Sequence, residues 1–576
     1  MGAIAYIIAS EADCSWVKAH APGEEMIAHD AVTHRQFPEA SYFFPPSENE
    51  DESSRATQHL AFDWFRDDAG HDRFARDGIS FAQVISGSAW IAIASYVREW
   101  LTLEKLFKNH DRIGVSVRES ERFIRVAGSF GERVVWYDPG SGNSLVPTCP
   151  DRPLPRRGYP LHQLPKSRLA RIISWPLRTI MPNRDTLYLH DWTYRIHAAR
   201  DRSSRTLLGR NILIDAYAVV TSSNAVRAKS IYDTQFSRSV TTDDLAASLA
   251  RIDVKWPLPM LQLVVGELRQ RAQNLRDYLA DCFAFFEDLL DTYKPKRVVV
   301  TGETYEPLTL LMQMCRKRGI RVYYALDGYI TTMALGHPPL YRTIDGNDWL
   351  ISDVLATGRV SAEHYAALGF PANRINQVDA AFLHTVPEDR SRDPKWDASI
   401  AAWVCNHLNP QARAEWSCVS VCDVAELLLA MGFLRIAVKV KQSTDIETYR
   451  ELQRRGLLSR QVEIVGGTMQ EHLLNTRMMV GGLSTGIVEA FNLNLPYYIY
   501  EPLENGYSDK SLESRALNPE RIARTLAELR ENILSKRQTV IRSREELLGG
   551  SKVMPWLSSD SGAAEMLPAT VGNEPR

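Results

Sequence analysis

Short apolar runs alternate along this chain with longer stretches in which apolar residues recur every three or four positions, the pattern of β-strands each followed by an α-helix. The alternation is clearest after residue 398, where "ASIAAWVCNHL", "RIAVKV", "QVEIVGG", "RMMVGG" and "PYYIYEP" read as strands. Such β-α units predict an α/β fold with a parallel sheet covered on both faces and ligands outside the carboxyl ends of the strands. "ALNPERIARTLAELRENILSKRQTVIRSREELL" (516–548) reads as helices, and residues 551–576 as a flexible tail. Ahead of 398 the pattern is less regular. "AIAYIIAS" (3–10), "RIGVSV" (112–117), "ERVVWYDP" (132–139), "KRVVVTGE" (296–303) and "RVYYALDG" (321–328) are strand candidates, and helices dominate 80–109 and 242–293. "ENEDES" (48–53) reads as a solvated acidic loop. The polar, Pro-containing stretch "NQVDAAFLHTVPEDRSRDPKWD" (376–397) divides the chain into an N-terminal domain, 1–380, and a C-terminal domain, 381–550.

Composition narrows the function classes. With 576 residues there is room for two or three cores, and a formal net charge of −2 gives no whole-molecule attraction to nucleic acid. Seven scattered cysteines without zinc spacing suit reduced thiols in the cytoplasm. The start "MGAIAYIIASEADC" lacks a basic leader and reads as a first strand, while the longest apolar run, "VISGSAWIAIASYV" (84–97), is too short to span a bilayer. One segment departs from the balance: residues 152–210 hold 13 Arg or Lys against 3 Asp. Within it "SRLARIISWPLRTI" (167–180) mixes Trp and Ile with Arg, which fits either a peripheral contact with an anionic membrane or a basic insertion packed on the protein.

The most specific chemistry sits in "MMVGGLSTGIVEAFNLNLPYYIYEP" (478–502). A strand entering a helix through Gly482-Leu483-Ser484-Thr485-Gly486 leaves backbone N–H groups free at the helix N-terminus, where an anion fits. Glu489 falls one turn later, within reach of a hydroxyl of the same ligand. An ordinary capped β-α turn has the same residues.

Tandem Rossmann-like domains with a nucleotide-type turn late in the second resemble the GT-B glycosyltransferases. The likeness in architecture extends over most of the chain, and at motif level over about 380–510. In that superfamily two Rossmann-like domains face a central cleft, with the nucleotide-sugar donor on the C-terminal domain and the acceptor on the N-terminal one. By this resemblance "GGLSTGIVEAF" is the phosphate turn with its ribose-holding acid, so Ser484, Thr485, Gly486 and Glu489 bind nucleotide. "VKVKQST" (438–444) is similar in position to the basic motif with which bacterial surface-polysaccharide transferases hold donor phosphates, giving that role to Lys439 and Lys441. The family motif often ends in His-Pro, where this chain has Lys-Gln. Among such enzymes the chain looks most like transferases of bacterial capsule and lipopolysaccharide assembly, including those using CMP-Kdo. A helical and basic insertion would then occupy about 150–250 of the acceptor domain. The implied partners are a nucleotide sugar, favouring a CMP-sugar, and a glycan or glycolipid acceptor.

Glycosyl transfer needs a base or a nucleophile beside the neutralised leaving phosphate. Glu303 and Asp327 follow strand candidates of the N-terminal domain and are the catalytic candidates, Glu303 first because Gly302 admits close approach. His407, after the first C-terminal strand, is a candidate donor contact, with Asp379, His190 and Asp191 ranked lower. No Asp-x-Asp stands in a metal-holding context, so neither metal nor cofactor is expected. A nucleotide-sugar 2-epimerase, a polyol-phosphate transferase and a non-catalytic nucleotide-sugar scaffold compete with this reading.

Overall fold

The computed structural model describes residues 4–42, 50–140, 145–146, 186–189, 222–238, 240–300, 306–325, 348–367, 369–378, 393–402, 414–440, 445–482, 487, 490, 493–502 and 521–538. They form an α/β protein with three sheets, parallel throughout except for one short edge strand. The first sheet comprises β1 (Ile4–Ile8), β2 (Met26–Ala28), β3 (Ser41–Tyr42), β4 (Arg112–Ser116), β5 (Val134–Tyr137) and the antiparallel β6 (Leu145–Val146), in the order β3-β2-β1-β4-β5-β6. The second runs β11-β10-β9-β8-β7, from β7 (Thr186–Leu189), β8 (Arg297–Val300), β9 (Arg321–Ala325), β10 (Asp353–Thr357) and β11 (Ile375–Val378). The third, β14-β13-β12-β15-β16-β17, is built from β12 (Ala398–Ala401), β13 (Ile436–Lys439), β14 (Val462–Val465), β15 (Met479–Gly481), β16 (Tyr497–Tyr500) and β17 (Ile522–Ala523). The first and third sheets thus share one doubly wound order, reversing direction between β1 and β4 and between β12 and β15.

The helices are α1 (Glu11–His20), α2 (Ala31–Gln36), α3 (Glu50–Asp63), α4 (Phe81–Asn109), α5 (Glu121–Gly128), α6 (Ser222–Phe236), α7 (Thr242–Ala250), α8 (Leu258–Tyr293), α9 (Glu306–Lys317), α10 (Gly358–Ala367), α11 (Ala414–Ala430), α12 (Asp445–Arg454), α13 (Met469–Leu474) and α14 (Leu526–Leu534). Their starts are chemically marked. Ser10, Asp30, Ser80 and Ser120 each accept a hydrogen bond from the third helical N–H, and Thr241, Thr468 and Thr525 form full capping boxes. Each such cap contributes about 1 kcal/mol.

Strand alternation assigns the faces. Ala5, Ile7, Ile113, Val115 and Trp136 of the first sheet join α4, α8 and α9, and Val298 and Val300 of the second, in one continuous core. Tyr6, Ile8 and Tyr137 point the other way, against Cys14, Trp16 and Val17 of α1. The third sheet has a core of its own, with Ile400, Val438, Val480 and Tyr498 packed on Val421, Ala425 and Leu428 of α11 and Leu529 of α14. A narrow seam ties this last unit to the first: Val32 of α2 packs onto its core, Arg35 pairs with Asp423 and Glu426 of α11, and Arg455 donates to Gln36 at 2.7 Å.

The N-terminal region holds two sheets on one core, the first of them in the doubly wound order. Three local expectations change. Residues 50–53 of the expected acidic loop belong to α3, and Ile522–Ala523, expected to be helical, pairs with β16 as β17. In both, neighbouring contacts outweigh local pattern. The strand β11 also takes the first residues of the linker, 376–378.

Candidate functional site

The third sheet brings its candidate segments together at one edge. β13, β12 and β15 are successive neighbours in the ladder, with Ala401 opposite Lys439 and Ile400 opposite Val480. The segments leaving their carboxyl ends therefore begin side by side: 402 onward, containing His407, 440 onward, containing Lys441, and 482 onward, containing Ser484 and Thr485. Between β12 and β15 the strand order reverses, the kind of position at which doubly wound sheets bind ligands.

The entry to that turn is built from small residues and one phenol. A Cβ on Gly481 would lie 2.3 Å from Tyr497 Oη and 2.8 Å from Ala401 Cβ. Glycine at 481 lets the Tyr497 ring cross β15, and Tyr497 Oη then donates to the carbonyl of Gly482 at 3.1 Å. This fixes the first peptide of the turn from beneath. One strand over, Glu501 is fully buried at the end of β16, its N–H bonded to Ala523 and its carbonyl to Arg524. The apolar run "YYIYEP" concealed that acid as a strand end.

Lys439 is placed differently from a strand-end phosphate ligand. It is 3% exposed and donates to Val440 O at 2.5 Å. Lys441, Ser484, Thr485, Gly486, Glu489, His407, Glu303, Asp327, Asp379, His190 and Asp191 lie outside the described residues. The strands that precede two of them are adjacent, however. β8 ends at Val300 and β9 at Ala325, with Val300 opposite Tyr324, so the segments carrying Glu303 and Asp327 start at one edge of the second sheet. Among the described residues no group of three or more His, Cys, Asp or Glu is placed to hold a metal, and no helix is long and apolar enough to cross a membrane. The basic segment 152–210 falls outside them apart from β7.

A second polar cluster looks catalytic by composition and is not. His472 of α13 is buried, its ring 4.4 Å from Trp396, with Nε2 2.8 Å from Ser399 Oγ. Ser399 Oγ lies 2.8 Å from Thr476 Oγ1, which donates to Met478 O. The donor order follows: His472 Nε2–H to Ser399, Ser399 O–H to Thr476, Thr476 O–H to a backbone carbonyl. The serine proton is directed away from the imidazole, so no base activates Ser399. Trp396 and Thr476 precede β12 and β15, which puts the cluster at the amino edge of the sheet, opposite the carboxyl edge. It braces the edge, with Trp396 Nε1 and Lys395 Nζ both 2.8 Å from the Glu463 carboxylate.

Burial, followed by the charge of Lys439, pushes the His472 ring down to about 4, against the opposing pull of Glu463. Below pH 6.5 the unfolded chain binds a proton that the fold refuses, so this contribution is complete above pH 6.5 and lost as pH falls toward 4. The loss amounts to about 3 kcal/mol. Urea unfolding at pH 7 and pH 4.5 should show His472→Gln with a visibly flatter pH dependence than the natural chain; parallel curves would remove His472 as the cause.

No protein-family model matches the chain, and no curated protein matches it by sequence. Solved structures resemble it weakly. UDP-GlcNAc 2-epimerase from Methanocaldococcus jannaschii, in complex with UDP-GlcNAc and UDP, is 15% identical over 48% of this chain and 78% of its own, with a TM-score of 0.34. The UDP-GlcNAc 2-epimerase from Neisseria meningitidis bound to UDP-GlcNAc is 14% identical over 46% of this chain and 73% of its own, at 0.31. An S. aureus TarM variant in complex with Fondaparinux, alpha-GlcNAc-glycerol and UDP is 12% identical over 44% of this chain and 51% of its own, at 0.30. These are likenesses of chain path alone and assign no role to any residue.

Proposed function

We propose that this chain is a nucleotide-sugar enzyme of GT-B type, a glycosyltransferase moving sugar from an activated donor, with a CMP-sugar favoured, to a surface-polysaccharide or glycolipid acceptor. The observation that carries the reading is the start of the Gly-Ser-Thr-Gly segment at the strand-order reversal of the third sheet, beside the ends of β12 and β13. Free N–H groups at such a turn attract phosphate, and a following acid at Glu489 suits a ribose hydroxyl. Lys441 supplies positive charge in this scheme, and Lys439 contributes as a buried charge behind the strand ends. Helix N–H groups and lysine then offset the leaving phosphate without a divalent ion. Glu303 and Asp327 act from the second sheet as base or nucleophile, and His407 contacts the donor. The basic segment 152–210 faces the anionic surface on which a glycolipid acceptor is carried.

The test begins with binding. Calorimetry against CMP, UDP and GDP should give one preferred nucleotide, and Glu489→Gln should weaken it roughly tenfold, the loss of one charged hydrogen bond, with the unfolding midpoint unchanged. Equal affinity in the variant would remove Glu489 from the site. The 2-epimerases among the similar structures set the competing reaction, an isomerisation that needs no acceptor. Incubating the preferred nucleotide sugar alone separates the two: an isomerised sugar supports the epimerase, and dependence on an added glycan supports transfer.

A further inference from the structure

Helix α4 starts inside the protein, where water does not reach its first N–H groups: Ser80, Phe81, Ala82 and Gln83 are all 0% exposed. The Gln83 N–H is met locally by Ser80 Oγ at 3.1 Å. Two carboxamides from other helices meet the groups around it. Gln235 of α6 accepts from the Phe81 N–H at 2.8 Å, and its Nε2 donates to the Ile79 carbonyl at 2.9 Å. Gln313 of α9 accepts from the Ser80 N–H at 2.8 Å, and its Nε2 donates to the Ser80 carbonyl at 3.2 Å and to Gln83 Oε1 at 2.7 Å. Both side chains are buried, and a backbone N–H on one side with a carbonyl on the other leaves each amide one orientation.

The two clamps share their chemistry and differ in what they carry. α6 holds no candidate site residue. α9 starts at Glu306, after a connection of five residues, 301–305, that leaves β8 at Val300 and includes Glu303. One end of that connection is pinned, because Val300 pairs with Tyr324 in the second sheet. The other end lies wherever α9 lies along its own axis. Leu310, Leu311, Met312 and Met314 bury that helix in the shared core, and apolar burial has no preferred direction. Gln313 has one: its acceptor and donor match the N–H and carbonyl of a single residue, so sliding α9 along its axis breaks both bonds.

We propose that Gln313 is a positioning residue for the second-sheet acid: by locking α9 to Ser80 it fixes both ends of the span from Val300 to Glu306, and so the place of Glu303. This rests on the reading of Glu303 as base or nucleophile. A misplacement on the order of 1 Å can cost about a hundredfold in rate, and a connection this short passes a shift of α9 directly to the residues within it. Gln235, on a helix that leads to no candidate, has no such lever.

The two glutamines therefore make a matched pair for experiment. Gln313→Met and Gln235→Met each remove a buried amide from adjoining peptides at nearly constant volume, and both should lower the urea midpoint. Spin labels on Glu104→Cys of α4 and Glu303→Cys, in the full chain, report the place of 303 without any activity. Adding Gln313→Met should shift or broaden the distance distribution, and adding Gln235→Met should leave it unchanged. With the preferred nucleotide sugar and its acceptor, and Glu303 and Glu104 restored, Gln313→Met should lower kcat roughly tenfold with KM for the nucleotide sugar within about twofold, while Gln235→Met keeps both near the natural values. Gln313→Asn, which keeps an amide and withdraws it by one methylene, gives the same pattern should the methionine variant not fold. An unmoved label in the Gln313 variants overturns the inference, as does an equal fall of kcat in the Gln235 variant. A moved label together with a natural rate in Glu303→Gln keeps the register lock and sinks the catalytic reading of Glu303.

Discussion

If the chain is the proposed transferase, Glu303→Gln should lower turnover of nucleotide sugar with its acceptor by roughly a hundredfold or more, with nucleotide affinity nearly unchanged, the pattern of a lost general base or nucleophile. The expectation follows from strand adjacency: β8 and β9 pair in register up to Val300 and Tyr324, so the segments bearing Glu303 and Asp327 leave one sheet edge together. Two carboxyl groups so introduced can divide the work of proton removal and charge stabilisation. Glutamine preserves size and hydrogen bonding and removes only the charge, so the effect should appear in kcat and spare nucleotide binding. Initial rates at saturating donor, paired with calorimetry, give both quantities. A natural-chain rate in the variant makes Glu303 structural and moves the search to Asp327, Asp379 and His407. Loss of the natural chain's activity in EDTA would replace the metal-free scheme.

Gly481→Ala is the second large effect, felt in stability and in nucleotide binding together. The added methyl meets the Tyr497 hydroxyl at 2.3 Å and the Ala401 side chain at 2.8 Å, both buried. Neither has room to retreat, because Tyr497 is held to Gly482 O and Ala401 pairs with Lys439 in the ladder. Overpacking of this kind costs about 1–3 kcal/mol. The displaced phenol also releases the first peptide of the turn, so affinity for the preferred nucleotide should fall by about tenfold, the value of roughly one hydrogen bond. Tyr497→Phe in the same chain relieves the closest contact and should recover part of the stability, without recovering affinity. Urea midpoints for the two single variants and the double variant decide the point; strictly additive losses would mean the two groups do not meet.

The strands legible in the sequence are those of four or five mostly apolar residues, such as "IAYII", "VVWY", "IAVK" and "YYIY", buried on both faces. Those missed are short or mixed. β2 and β3 have three and two residues, and β11, "INQV", alternates with polar side chains. Such segments are strands because a neighbour's ladder is waiting for them, which no local window contains. For the same reason the division of residues 4–378 into two sheets was hidden: α4 and α8 are amphipathic in the ordinary way, and only the contacts show that one core serves both sheets.

The end of β15 at Gly481 was legible because small residues between two apolar runs have few uses. Lys439 was read by position and lies buried at the end of β13. His472 with Ser399, and Gln313 with Ser80, are pairs joined only by folding, 73 and 233 residues apart.

The unequal seams have a consequence for dissecting the chain. Among the described residues, severing it between β11 and β12 parts Val32, Arg35 and Gln36 on one piece from Asp423, Glu426 and Arg455 on the other. Severing it between β6 and β7 opens the apolar interior in which Ile7, Trp90, Leu279 and Val300 belong to one cluster. The doubly wound order would mark the first sheet as the piece to lift out; by the contacts among the described residues the third sheet is the more separable piece, and the first two share one core.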